Sequence, residues 1–261
     1  MKHRIAHLTD LHFGEARPQD AERLAADVLA CDPEVVVVSG DLTQRARPGE
    51  FAAAMAFLEG LRRPLLVVPG NHDIPNTSLL ERFLAPKRRW RQARDAHGLP
   101  RRVDLPGLRL IALDTVSRAQ WHLDWSAGAI TTHRLAVLAR DLGQGAGPPT
   151  IVVCHHPLRH APWARYRGMP RGARRTIRLL REQGVAAVLC GHLHKAEVTP
   201  LSPTGPLQVM GPSGLSRRGG RPMGWNLIEI EGEHLHVATR EMTPRGWQVR
   251  AQQGMEHLPI G

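Results

Sequence analysis

Cysteine is scarce in this sequence. Cys31, Cys154 and Cys190 are the only three in 261 residues, and their spacing shows no pairing. That argues against a disulfide-built scaffold and for three reduced, buried thiols. Long apolar runs are also missing, since none approaches the roughly 20 residues of a membrane span. Met1-Lys2-His3-Arg4 runs directly into "IAHL" with no signal-peptide core, so the expectation is a cytoplasmic protein. Acid is in short supply: 24 Asp and Glu face 35 Lys and Arg, giving a formal net charge of +11. The excess is mostly arginine, which reflects either codon bias or a functional basic surface. No internal repeat and no linker breaks the chain.

The sequence does have enough apolar residues for a substantial core, at 42%. Their pattern alternates between two periods. "RIAHL", "EVVVVS", "LLVV", "LRLIALD", "TIVVC" and "VAAVLC" predict short buried strands. "AERLAADVLA", "EFAAAMAFLEGL", "THRLAVLARDL" and "ARRTIRLLREQ" predict helices, the third capped by Thr131 or Thr132. Strand and helix in alternation predict an α/β layer structure. Beyond Gly191, "AEVTPL", "LQVM", "NLIEIEG" and "HLHVATREM" read as strands of an antiparallel sheet, interrupted by a Gly/Pro-rich loop at 212–224.

Polar residues then fall where strands end. Asp10 and His12 follow the first strand and Asp41 the second. "LLVVPGNHDIP" carries Asn71, His72 and Asp73 out of the third. His155 and His156 follow the strand at 150–154, and His192 and His194 the one at 185–190. Buried amides, imidazoles and carboxylates are costly without partners. In an α/β sheet the strand carboxyl ends converge on one rim, where ligands bind. Two carboxylates, an amide and at least four imidazoles are too many for one ion. They suit two transition metals, Mn, Fe, Zn or Co, better than Ca or Mg alone. Asp-x-His or His-x-His alone is weak. All five motifs in order, each at a strand end, are specific.

That series, Asp10-x-His12, Gly40-Asp41, Gly70-Asn71-His72-Asp73, His155-x-Pro157 and Gly191-His192-x-His194, resembles the calcineurin-like metallophosphoesterase superfamily over residues 5 to 195. The resemblance implies a four-layer α/β/β/α sandwich of two mixed β-sheets, a single domain over residues 1–261, and a binuclear metal site at the strand C-terminal ends. It implies Asp10, His12 and His194 at one metal, Asn71, His155 and His192 at the other, and Asp41 as the bridge. His72 resembles the non-ligand histidine that meets the phosphate and the leaving group. The metals, Mn or Fe first and Zn or Co next, would activate a bridging hydroxide for in-line attack on phosphorus, with His72 supplying the proton. Asp73 orients His72 or anchors the turn, with anchoring favoured.

Two departures stand out. The protein-phosphatase branch has an aspartate where this chain has Gln44, and its arginine motif is absent. "GDLT", "GNHD", "HHP" and "GHLH" are instead similar to the small bacterial phosphodiesterases, which include cyclic-nucleotide phosphodiesterases. The expected substrate is therefore a small nucleotide-like or glycerol-like phosphodiester. A nuclease or lipid-pyrophosphate hydrolase is the alternative, and a non-catalytic scaffold is disfavoured because every ligand position is filled. A homodimer stays open as a partner. Nucleic acid is not favoured, although basic segments exist. Lys87, Arg88, Arg89, Arg91 and Arg94 surround Trp90, which suits a lid, a nucleic-acid patch or a membrane-surface patch. Eight arginines and no acid lie between His155 and Glu182, with Arg174, Arg178 and Arg181 at helical spacing on an expected solvent face. His160, Trp163 and Tyr166 stack on substrate or simply pack. His156, Arg217 and Arg218 are the expected substrate contacts, the two arginines because a loop after a site often folds over it.

Overall fold

The structure is a computed structural model and describes residues 1–75, 78–117, 126–143, 147–160, 162–164, 168–216 and 220–255. Arg217, Arg218 and Tyr166 lie outside the described residues.

The continuous apolar run "VVVV" makes the first structural decision. A strand alternates its side chains between two faces, so a run without polar residues needs cover on both. In β2 (Val35–Ser39), Val36 and Val38 pack towards α1 (Pro18–Ala30) and α2 (Pro48–Gly60), while Val35 and Val37 join an inner core. Prolines open both helices, where a missing N–H costs nothing. Parallel pairing sets β2 between β1 (Lys2–Leu8) and β3 (Leu65–Val68).

The second sheet repeats this logic. β5 (Leu108–Ala112), β6 (Thr150–Val153) and β7 (Ala187–Cys190) run parallel, and β4 (Arg102–Leu105) pairs antiparallel on the outside. Ile111, Val152 and Val188 face α5 (Thr132–Leu142) and α6 (Ala173–Glu182). Leu110, Ile151, Val153 and Leu189 turn inward and meet Ile5, Val35, Val37 and Leu66 of the first sheet. Three apolar interfaces separate four layers, helix–sheet–sheet–helix, as expected.

The region after Gly191 departs from the expectation of one antiparallel sheet. β8 (Glu197–Pro200) and β9 (Leu207–Met210) extend the second sheet, with β9 parallel to β7. The chain then crosses over, and β10 (Gly224–Glu231), β11 (His234–Thr243) and β12 (Gly246–Met255) build an antiparallel flank onto β1. The sheet orders are β12-β11-β10-β1-β2-β3 and β4-β5-β6-β7-β9-β8. Leu207 and Val209 of β9 and Ile228 and Ile230 of β10 meet in the same inner core from opposite sheets. The short helix α3 (Leu79–Leu84) and α4 (Arg88–Ala96) lie between β3 and β4. Among the described residues no helix is long and apolar enough to cross a membrane, and all three cysteines are free.

Candidate metal centre

Five of the seven candidate ligands hold a backbone conformation that L-residues avoid. Asp10, His12, Asp41, His192 and His194 have φ of 51°, 48°, 51°, 73° and 54°. Such strain persists only where surroundings impose it, and it clusters at functional sites. Each residue sits in the sharp turn that leaves β1, β2 or β7. The turns also interlock. A Cβ on Gly70 would lie 2.1 Å from Asp41 Oδ1, and one on Gly191 would lie 1.8 Å from Thr9 Oγ1. The glycines of the Gly-Asn-His and Gly-His motifs are there for close approach.

The turns bring all seven predicted ligands together. His194 Nε2 lies 3.1 Å from Asp10 Oδ1 and 3.2 Å from His12 Nε2. Two imidazole nitrogens facing each other cannot both carry a proton there. Asn71 Oδ1 is faced by His155 Nε2 at 3.0 Å and His192 Nδ1 at 2.9 Å. Asp41 Oδ2 sits between these groups, 3.4 Å from His155 Nε2 and 3.9 Å from His12 Nε2. Ligand atoms of Asp10, His12 and His194 lie within 4.8 Å of one another, as do those of Asp10, Asp41 and His155.

The site fits cations on its own chemistry. Asp10 Oδ2 accepts hydrogen bonds from Thr9 Oγ1 at 2.7 Å and the His192 N–H at 3.0 Å. Asp10 Oδ1 is buried, with the His194 ring nitrogen at 3.1 Å as its nearest cationic neighbour among the described residues. His155 donates from Nδ1 to the Ser39 carbonyl at 2.8 Å, which fixes the ring with Nε2 facing the centre. Asp10 and Asp41 are essentially fully buried. Burial works against their charge, but His194 beside Asp10 and His155 beside Asp41 hold both well below the usual carboxylate range. The imidazoles divide. Burial lowers His12 to about 4, while Asp41 overcomes burial and lifts His155 to about 9. Buried anions of this kind need added positive charge.

His72 stands apart. Its backbone N–H donates to Asp41 Oδ1 at 2.8 Å, and its ring Nδ1 donates to the Gln44 carbonyl at 2.9 Å. A carbonyl oxygen from position 44 orients this ring, which answers the absence of an aspartate there. Asp73 anchors the turn. It accepts from the N–H groups of Gly70, Leu42 and Thr43 and from Thr43 Oγ1 at 2.8–3.2 Å. His156 is engaged on both nitrogens, with Thr115 Oγ1 at 2.8 Å and the Ser126 carbonyl at 2.7 Å. Burial lowers it to about 3, and it packs as a neutral ring against His155 and His192.

Sequence reasoning missed several supports. Ser213 Oγ donates to the Asp10 carbonyl at 2.8 Å, and Arg221 donates to the Leu193 and His194 carbonyls at 3.0 and 3.2 Å. Backbone acceptors leave no mark on the sequence; only Thr9, adjacent to Asp10, could have been suspected. The basic segment around Trp90 is partly neutralised. Trp90 is core, Arg88 and Arg89 pair with Glu81, Arg94 with Asp95 and Lys87 with Asp114. Trp163 donates to Glu197 and stacks under Lys195. Arg174, Arg178 and Arg181 are exposed on α6.

A sandwich of two mixed sheets with imidazoles and carboxylates gathered at one strand-end rim defines a metal-dependent phosphoesterase. The chain belongs to the calcineurin-like phosphoesterase family, whose sequence model matches residues 3–196. It is 31% identical to the glycerophosphodiester phosphodiesterase GpdQ of Enterobacter lignolyticus, over 75% of this chain and 72% of that protein. It is 30% identical to a cAMP/cGMP dual specificity phosphodiesterase of Mycobacterium tuberculosis, over 73% of this chain and 61% of that one. These relatives place it in the bacterial phosphodiesterase branch. In fold it is similar to the purple acid phosphatase PPD1 of yellow lupin, with a TM-score of 0.66 and 15% identity, covering 97% of this chain and 53% of that one. The family is of the binuclear metal-dependent type.

Proposed function

We propose that the protein hydrolyses a small phosphodiester, cyclic-nucleotide-like or glycerol-like, with two transition-metal ions, Mn or Fe before Zn or Co. Asp10, His12 and His194 would hold one ion, Asn71, His155 and His192 the other, and Asp41 both. The observation that carries this reading is Asp41 Oδ2, set between the His155 and His12 ring nitrogens. When bound, such ions polarise phosphoryl oxygens and lower the pKa of water. The chain's own residues do the rest. Asp10, His12, Asp41 and His155 form a buried floor, and Asn71, His72, His192 and His194 form a half-buried side from which a substrate arrives. Because His72 spends Nδ1–H on Gln44, its Nε2 is the nitrogen left to pass a proton to the leaving alkoxide. The activities of the relatives support a diester rather than a monoester.

The test is elemental analysis after Mn or Fe reconstitution. It is combined with turnover of cyclic AMP, a glycerophosphodiester, a lipid pyrophosphate and single-stranded DNA. We expect two ions per chain and the fastest turnover on a small diester. One ion per chain with Asp41 intact would overturn the two-ion reading, and preference for DNA or the lipid would overturn the substrate class.

A further inference from the structure

A second concavity adjoins the strand ends. It is a cavity of about 340 Å³, walled by the ends of β3 and β5 and by α4 and α5. None of the seven candidate ligands lines it, nor does His72. Its lining is segregated. The floor is apolar, with Val67, Val68, Trp90, Leu113 and Leu138 all buried. The rim is cationic, with Lys87, Arg91 and Arg134 foremost.

The rim's charges do not cancel. Asp114 lines the cavity and takes ion pairs from both Lys87 and Arg134, the latter at 3.4 Å. One positive charge is left over from that trio. Arg94 is matched by Asp95, and Arg101 lies 3.8 Å from Asp141. Arg91 is exposed, and among the described residues its side chain has no hydrogen-bond or ion-pair partner. It adds a second uncompensated charge. Lys87 is 9% exposed, so its ammonium is largely desolvated. Burial lowers it to about 8, with Asp114 opposing and Arg134 and Arg91 adding to the shift. Surplus cations beside apolar walls hold an anion more strongly than the same charges in water. Apolar walls with a few placed polar groups are the ordinary make-up of a small-molecule site, and this volume falls at the lower end of such sites.

We propose that this cavity is a second ligand site for a small organic anion, its charged group met by Lys87, Arg91 and Arg134 and its apolar body seated against Trp90 and Leu138. The proposal does not rest on the diester reading, because none of the candidate ligands lines the cavity.

Calorimetric titration of the metal-loaded protein with naphthalene-1-sulfonate tests this, since no phosphoester step consumes that probe. We expect one molecule bound per chain, at least tenfold weaker binding in Arg91→Glu, and loss of binding in Val137→Trp, which fills the cavity. Hydrolysis of a nitrophenyl diester by Arg91→Glu should stay within about twofold of the parent, because that side chain supports nothing else. Displacement by octane-1-sulfonate or by adenosine 5′-monophosphate supports the site and tells an acyl body from a nucleoside body. Absence of binding, or binding unchanged in both variants, would overturn the proposal. Inorganic sulfate competing as well as the organic anions would overturn the apolar half of it. Loss of hydrolysis in Arg91→Glu would overturn the separation of the two sites.

Discussion

The two halves proposed for the strand-end centre are alike in nitrogen and unlike in charge. Asp10, His12 and His194 bring a carboxylate of their own. Asn71, His155 and His192 bring a neutral amide oxygen instead. Each half reaches Asp41, so one cation would meet a full carboxylate plus a share of another, and its neighbour would meet the share alone. Coulomb attraction therefore favours the first half. Exposure does not follow that division. His194 of the first half is half-buried like Asn71 and His192, while His155 of the second is fully buried like Asp10 and His12. The comparison teaches that a centre with equal nitrogen counts is still graded by charge.

Several variants break or sharpen that comparison. Asp41→Ala has the largest expected effect, because both halves depend on it. Both ions should be lost together by elemental analysis, and diesterase activity should fall to background. Retention of one ion at full occupancy would show the halves to be independent. His72→Ala comes next. It should keep both ions while kcat falls ~10²–10⁴-fold, the usual contribution of a general acid. The fall should be steepest for alkoxide leaving groups and shallow for nitrophenolate. Ion loss in this variant would move His72 into the first half as a ligand. Third, Asn71→Ala should weaken one ion by roughly tenfold, the scale on which single partners tune metal affinity, and Asp10→Ala should cost more. Titration against a competing chelator reads the difference, and equal losses would abolish the gradient. The smallest effect belongs to Arg174, Arg178 and Arg181 changed together to Gln. Screened surface charges should alter kcat/KM for a small diester by less than about threefold. A steep salt dependence that this variant removes would favour nucleic acid as substrate.

Much of the centre was legible because strand ends are legible. "EVVVVS" can only be a strand covered on both faces, and the polar residue after it must sit at a rim. Five such runs therefore place Asp10, Asp41, Asn71, His155 and His192 before any coordinates are known. What stayed hidden depended on contacts without sequence signatures. The Gln44 carbonyl that orients His72 could come from any residue type. The Thr115 hydroxyl and Ser126 carbonyl that engage His156 leave no mark on the sequence either. α4 reads as a basic patch because only Trp90 marks its buried side, too few apolar residues to show a helical period. "GWQVRAQQGM" hides β12 because that strand is at the sheet edge and exposed along much of its length. The split after Gly191 was invisible because strands of either sheet look alike locally.

That split has a consequence for how the protein is made. β1 is the first strand synthesised and nearly the last to be completed. Its antiparallel partner β10 pairs Lys2 with Glu231 and His7 with Asn226. Contacts of such sequence separation form slowly. Until residues beyond 224 have left the ribosome, β1 presents an open edge, of the sort that recruits other chains. Ser213, which holds the Asp10 carbonyl, arrives almost as late. The N-terminal turn that carries Asp10 and His12 is thus set in its final shape only when the last third of the polypeptide has been synthesised, so a ribosome stalled before β10 would release an aggregation-prone chain with an unfinished first sheet.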